Sequence, residues 1–403
     1  MIPPEQPAAG SKMPLSVVVA AMLLVTTGLM MTGIQPILLG VLVQTGRLNE
    51  AGLGQVAMVE VLGLALGSSI GPGLMNSGNM RRNAAVVCIA LALGNLAMCW
   101  ADSQPAILAV RGICGALEGL ALGAANLAIA HSRRPARLFG MSLAISNLPQ
   151  GLATYLLPAF FLPRWGVNAG YLLTAVLALA TAVAAIGFVD RVDIHKTAGR
   201  SRIAWSGLLV AAILGTLAFN MGIGSAWNYL EQLGSQVGLA PAAVGATLST
   251  AIAFQVTASV VSALWSHKLP NRLTLVFACL IAAAALLLMA QGSAIIFVCG
   301  AVAFGVVWLG IQPFQVTEFV SLDPSRRVAV LLAPLAMIGL SLGPFVSSFA
   351  VSSRSVTGAF WTAAALLGLA SALYAVVAIA SRRGGLRLAD ETPPDLPLPD
   401  PSI

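Results

Sequence analysis

Arg111 and Glu118 stand seven residues apart in a stretch, Ile107 to Ala130, that is otherwise apolar enough to lie in a bilayer. Seven residues are about two helical turns, so both charges project from one face of one helix, ~10 Å apart along its axis. At membrane depth an ionised side chain costs several kcal/mol unless it faces a protein partner or a water-filled path. These residues therefore favour a helix lining a polar pathway, with a purely structural charge pair as the alternative. Glu60, in Ala57-Met-Val-Glu60-Val-Leu-Gly63, adds a third charge. Counted from the predicted span ends at 1.5 Å per residue, Glu60 lies ~12 Å deep, Arg111 ~9 Å and Glu118 ~20 Å. Such depths permit a Glu60–Arg111 pair. Burial penalises a carboxylate's charge, while a nearby guanidinium favours it. A group balanced between these effects takes up a proton in one conformation and releases it in another, so Glu60, Arg111 and Glu118 are candidates for proton coupling. Arg111 could instead hold an anionic solute, because a guanidinium binds a carboxylate at two points.

The elements that must position these residues are membrane helices. Of the 403 residues, 58% are hydrophobic and 9% charged, with a mean hydropathy of +0.91. Soluble domains carry about 25% charged residues, so a soluble fold is excluded. The apolar runs contain Gly, Ala and Pro and do not alternate as barrel strands do. At ~20 residues per crossing there is room for roughly a dozen helices. Twelve spans are read at about 15–43, 52–75, 84–101, 105–130, 138–161, 168–189, 204–230, 242–266, 274–290, 294–320, 328–350 and 358–380. Residues 1–14 form a polar, Pro-rich cytoplasmic tail with no cleavable signal peptide. The polar segment 190–203 is a cytoplasmic linker between two six-helix bundles, 15–189 and 204–380. The Asp- and Pro-rich tail 381–403 cannot bury a core and is expected to be disordered.

The net charge of +7 does not mark a nucleic-acid surface, because its carriers are sorted by side. Among the 21 Lys and Arg, only Arg47, Arg164 and Arg354 fall in loops of one side, and Arg111 alone falls within a span. All others lie on the side of both termini, which the positive-inside rule assigns to the cytoplasm. The five cysteines (Cys88, Cys99, Cys114, Cys279, Cys299) lie in or at the ends of spans without metal-like spacing and read as small packing residues. An internal repeat supports the two halves. Leu48-Asn-Glu-Ala51-Gly-Leu-Gly54 aligns with Leu239-Ala-Pro-Ala242-Ala-Val-Gly245, and the same offset carries Gly33 to Gly224, Arg81 to Arg272 and Cys88 to Cys279. Paired parallel halves place a solute site between them near mid-membrane.

Twelve spans as six plus six, with both termini inside, resemble the major facilitator superfamily of secondary transporters over residues 15–380. Arg111-Gly-Ile-Cys-Gly115 resembles the superfamily's fourth-helix Arg-x-x-x-Gly pattern, whose arginine is associated with proton coupling in several antiporters. The loop Gly73-Leu-Met-Asn-Ser77-Gly-Asn-Met80-Arg81-Arg82 is similar to its second-to-third-helix signature. It departs at Ser77, where Asp is usual, and at Met80, where Gly is usual. The counterpart Leu264-Trp-Ser-His-Lys-Leu-Pro-Asn-Arg272 departs as far. The fifth span, with Ser146-Asn147-Leu-Pro149-Gln150-Gly151, lacks the Gly-Pro-rich signature of drug/proton antiporters. The resemblance implies that the first, fourth, seventh and tenth helices line a central cavity.

The polar inventory falls largely on those helices. Candidates for the solute cavity are Gln35, Asn126, Asn147, Gln150, Asn220, Trp227, Asn228, Tyr229, Trp308, Gln312 and Gln315. Trp227 and Tyr229 equally suit an interfacial aromatic belt. Glu231, near the outer mouth, and Glu318 and Arg326, near the cytoplasmic loop Asp323-Pro-Ser-Arg326-Arg327, are candidates for gating or anchoring ion pairs. No phosphate-cradling loop, nucleophile elbow or zinc-protease motif is present, so neither enzyme activity nor a cofactor or metal is expected. The expected protein is a monomer of the inner (plasma) membrane that moves a small organic solute, an organic anion by the evidence of Arg111, with protons. Efflux of drugs or metabolites, and a non-transporting receptor or assembly factor, are the alternatives.

Overall fold

The computed structural model describes residues 13–192, 205–323, 328 and 331–383. Both predicted tails apart from a few residues, the linker from residue 193 onward, and Arg326 lie outside the described residues. In hydrocarbon every backbone N–H and C=O must be paired within its own segment, and helices run through nearly all of the described chain. They are α1 (Leu15–Gln44), α2 (Glu50–Met75), α3 (Met80–Ala97), α4 (Gln104–Ala130), α5 (Pro135–Leu156), α6 (Asn168–Ala184), α7 (Gly207–Gln236) and α8 (Pro241–Trp265). These are followed by α9 (Asn271–Met289), α10 (Ala294–Gly310, continued by Gln312–Leu322), α11 (Leu332–Ser348) and α12 (Thr357–Arg383).

Ten of these helices are long and apolar enough to cross a membrane. The shorter α11 and the polar α5, with Ser142, Ser146, Asn147, Gln150 and Thr154, complete the twelve. Two elements differ from the sequence reading. After Leu156 the fifth rod passes through a π-helical turn, Leu157–Phe161, and runs on to Trp165. Pro158 and Pro163 lack an N–H, so the regular ladder cannot continue through them unchanged. The tenth rod is interrupted at Ile311, just before Pro313. Helix starts are fixed by side-chain caps: Asn49 Oδ1 accepts the Gly52 N–H at 2.6 Å, and Ser206 Oγ accepts the Leu209 N–H at 3.1 Å. Helices α1 and α7 both end on a glycine in the left-handed region, Gly46 (φ 75°) and Gly238 (φ 83°), which closes the last turn equivalently in the two halves.

Helix α2 packs on α4 more extensively than any other pair. Gly63, Gly67 and Gly71 on α2 interlock with Gly115, Gly119 and Gly123 on α4. A methyl group on Gly63 would stand 2.7 Å from Gly112 O, and one on Gly119 would stand 2.6 Å from Ser68 N. Small residues every fourth position let membrane helices approach to backbone contact. That approach brings Glu60, one turn before Gly63, level with Arg111. In the second half, Gly339 and Gly343 on α11 hold that helix against the backbone of α7 at Leu217, Met221 and Ser225.

The end carrying both described termini gathers Ser16, Asn76, Arg81 and Asp190: Met80 N–H donates to Asp190 O at 2.7 Å, and Arg81 pairs with Asp190 at 3.3 Å. Across the far end the halves are in contact. Gly54 of α2 lies against Pro344 and Ser348 of α11, Gly245 of α8 lies against Thr154 and Pro158 of the fifth rod, and Tyr229 Oη of α7 donates to Glu50 O at 3.0 Å.

Candidate functional site

Two polar features stand inside this apolar frame. The first is the charge cluster around Arg111, which is fully buried; Glu60 and Glu118 are each 3% exposed. Arg111 Nε donates to Glu60 Oε2 at 3.1 Å while Nη2 donates to Glu60 Oε1, a two-point pair. Nη2 also reaches Glu118 Oε1 at 3.3 Å, and Nη1 donates to Asn95 Oδ1 of α3 at 3.0 Å. Gln35 Nε2 of α1 donates to Glu60 Oε2 at 2.9 Å. The Arg111 guanidinium also lies 5.8 Å from the centroid of the Tyr171 ring on α6.

One guanidinium therefore serves two carboxyls, unequally: Glu60 is bound at both oxygens and Glu118 at one. None of these three charges lines the large cavity between the halves. The fourth helix spends its small face on α2, and Arg111 is directed at the two carboxyls and Asn95.

The second feature is that cavity, of about 430 Å³. It lies between the halves, with Gly140 near the start of α5 and Leu264 at the end of α8 on the side of the termini. Asn147, Gln150, Asn220, Trp227, Trp308 and Gln312 all line it. The two indoles meet edge to face with ring centroids 5.2 Å apart, and Trp227 Nε1 donates to Thr32 O of α1 at 2.9 Å, joining the halves at the cavity roof. No charged residue lines the cavity among the described residues. Its lining also includes Gln255 and Ser259 of α8, which sequence reasoning missed. The signal available for Gln255 was the single carboxamide of α8, in the middle of the span. Asn95 was missed in the same way.

The other candidates are placed elsewhere. Gln35 serves Glu60. Asn126 is half-buried and lines none of the described cavities. Asn228 Nδ2 donates to Gly224 O at 3.0 Å. Gln315 Nε2 donates to Tyr374 Oη of α12 at 3.1 Å. Tyr229 is buried in the contact between the halves rather than in an interfacial belt. Glu318 takes partners from α9: Arg272 Nε donates to its Oε1 at 2.9 Å and Asn271 Nδ2 to its Oε2 at 3.0 Å. Glu231 is buried where α7 meets α1, accepting from Gln44 Nε2 at 2.9 Å.

No protein-family model and no curated protein matches the sequence. Solved structures match its fold. A mutant of the nucleoside transporter NupG superposes with a TM-score of 0.71 at 11% identity, covering 91% of this chain and 99% of its own. A bacterial homologue of the human lysosomal transporter Spinster, inward-facing and unoccupied, gives 0.67 at 14% identity over 94% and 98%. The xylose transporter XylE from E. coli, partially occluded and inward-open, gives 0.66 at 15% identity over 89% and 97%. The chain is an all-helical, multi-pass membrane protein with the major facilitator fold.

Proposed function

We propose that the chain is a secondary transporter that moves a small organic solute by alternating access, coupled to protons. The observation that carries this reading is the cavity between the halves, bordered by residues toward the termini while the halves meet at the far end. Its volume of about 430 Å³ suits a small solute. The three structural neighbours are transporters. The bias of Lys and Arg supports cytoplasmic termini, hence a cavity open to the cytoplasm; an inner (plasma) membrane and a monomeric chain complete the proposal.

The wall favours an uncharged solute, or an uncharged moiety, over the organic anion. The anion reading depended on Arg111, and that guanidinium is fully engaged behind the wall. Five carboxamides offer both donors and acceptors, and two indoles offer flat apolar faces. The same wall suits an amphipathic drug or metabolite, which keeps efflux as the second reading. In the coupling cluster, Glu118 is the carboxyl suited to exchange the proton, because Arg111 already holds both oxygens of Glu60. With all three groups ionised the sealed cluster carries one excess negative charge, and one proton removes it.

The test is solute-evoked pH change in proteoliposomes, with wild type beside Glu60→Gln and Glu118→Gln. Uncharged ring-bearing solutes, organic anions and cationic drugs form the panel. Proton movement with an uncharged solute, lost in Glu118→Gln, is the expected result. Solute flux without proton movement in wild type would end the coupling assignment and leave transport standing.

A further inference from the structure

We propose that Glu231 is a second proton-binding site, separate from the Arg111 cluster, and that the proton it holds keeps the far end shut. This takes from the transport reading only that the far end opens. Glu231 is 3% exposed, and α7 meets α1 there. Its Oε1 accepts from Gln44 Nε2 at 2.9 Å and from Ser235 Oγ at 3.1 Å. Its Oε2 has no hydrogen-bond partner among the described residues. That oxygen lies against Gly40 of α1, where any side chain would overlap it. Beside it a cavity of about 320 Å³ is walled by Pro158, Pro163 and Pro241, whose nitrogens offer an anion no N–H.

Among the described residues no counter-charge reaches the group. Arg47, just past the end of α1, pairs with Asp102 at 3.4 Å. Arg164, on the fifth rod, is exposed and donates to Phe160 O at 2.9 Å. Glu50 begins α2 and Tyr229 of α7 donates to its carbonyl, while α8 carries no ionisable side chain. Glu231 forms no ion pair among the described residues.

A carboxylate buried with one oxygen unpartnered and no cation is strongly disfavoured relative to the neutral acid in the same place. Its O–H can also turn into the cavity. Gln44, the donor to Oε1, is exposed, so the group is one hydrogen bond from solvent on the far side. Separating α1 from α7 would wet Glu231 and favour its ionised form. The proton is therefore bound in the closed state and lost in the open one, and acidity on the far side holds that end closed. One such proton changes the open-to-closed ratio by up to about tenfold per pH unit over the range in which it is lost.

Paired spin labels at Thr45→Cys and Ala240→Cys, both exposed at the far end, read this opening in liposomes, in a full chain whose five native cysteines are replaced. Raising the pH from about 5 to about 8 is expected to move the distance distribution from short to long. Glu231→Gln is expected to stay short throughout, and Glu231→Asp to titrate with a displaced midpoint. Infrared difference spectra should show a carboxylic acid C=O band lost on raising the pH in wild type, and displaced in Glu231→Asp. A wild-type distribution indifferent to pH, a Glu231→Gln chain that opens as wild type does, or closure that follows sodium instead of acidity would overturn the proposal. If Glu231→Gln does not fold, an undisplaced midpoint in Glu231→Asp overturns it as well. A pH-driven opening in a protein that moves no solute would sink the transport reading and leave this one.

Discussion

Arg111 on α4 and Glu60 on α2 are 51 residues apart in the chain and meet at two points, with both carboxylate oxygens of Glu60 engaged by one guanidinium. The glycine-to-glycine packing of α2 on α4 sets their separation, so the pair is a consequence of backbone proximity as much as of charge.

Removing only the arginine leaves two carboxyls stranded. Arg111→Leu is expected to lower stability by about 3–5 kcal/mol, the usual cost of breaking a buried pair from one side. The double change Arg111→Leu/Glu60→Leu should recover much of that loss. Thermal unfolding in detergent measures both, and a double variant melting no higher than the single one would contradict the pairing.

Glu118 makes a single contact at 3.3 Å with the cluster. Glu118→Gln should therefore change stability by only about 1 kcal/mol, the scale of one hydrogen bond. It should nonetheless abolish solute-driven proton movement while solute-for-solute exchange persists. Under the proposed coupling, uptake that responds to a pH gradient in wild type should become indifferent to the gradient. Counterflow measured beside proton flux separates the two effects.

Closure of the far end depends on a residue with no side chain. A Cβ at Gly54 would meet Tyr229 Oη at 2.6 Å and Ser348 Cβ at 2.9 Å, besides overlapping Pro344 O. Gly54→Val should hold α2 away from α11 and bias the protein toward far-end opening. Net uptake should fall, with labels at Thr45→Cys and Ala240→Cys farther apart than in wild type at the same pH.

Gln255 should reveal itself in affinity. Gln255→Leu removes one carboxamide from the wall without disturbing the closed end, so KM for an uncharged solute should rise roughly fivefold, about 1 kcal/mol. The maximal rate should change little. Equal losses in KM and rate would place Gln255 in the opening motion instead of the binding wall.

The positions of the helices were legible in the sequence because bilayer crossing demands long apolar runs. The fourth span, read at about 105–130, is Gln104–Ala130 in the structure, and the twelve rods appear in the order read. Facing was less legible. In a membrane the lipid-facing and protein-facing sides are both apolar, so periodicity does not say which side of α4 carries Arg111. The clue lay in Gly63-x-x-x-Gly67-x-x-x-Gly71 and Gly115-x-x-x-Gly119-x-x-x-Gly123, which mark the sides that meet. Ion-pair partners were legible only where depth constrained them. Counting residues allowed Glu60–Arg111, whereas for Glu318 the nearest charges in sequence drew attention from Arg272, 46 positions away.

The spacing of Glu60 and Arg111 also bears on how the chain is made. A ribosome adding about 5–20 residues per second takes roughly 3–10 s to advance the 51 positions from Glu60 to Arg111. During that interval α2 exists as a nascent helix whose glutamate has no arginine to meet. Helix α2 therefore cannot complete its glycine-to-glycine packing, or the pair it carries, until α4 emerges. Assembly of the first half is then paced by translation, and slowing the ribosome between α2 and α4 lengthens the life of an intermediate exposed to quality control.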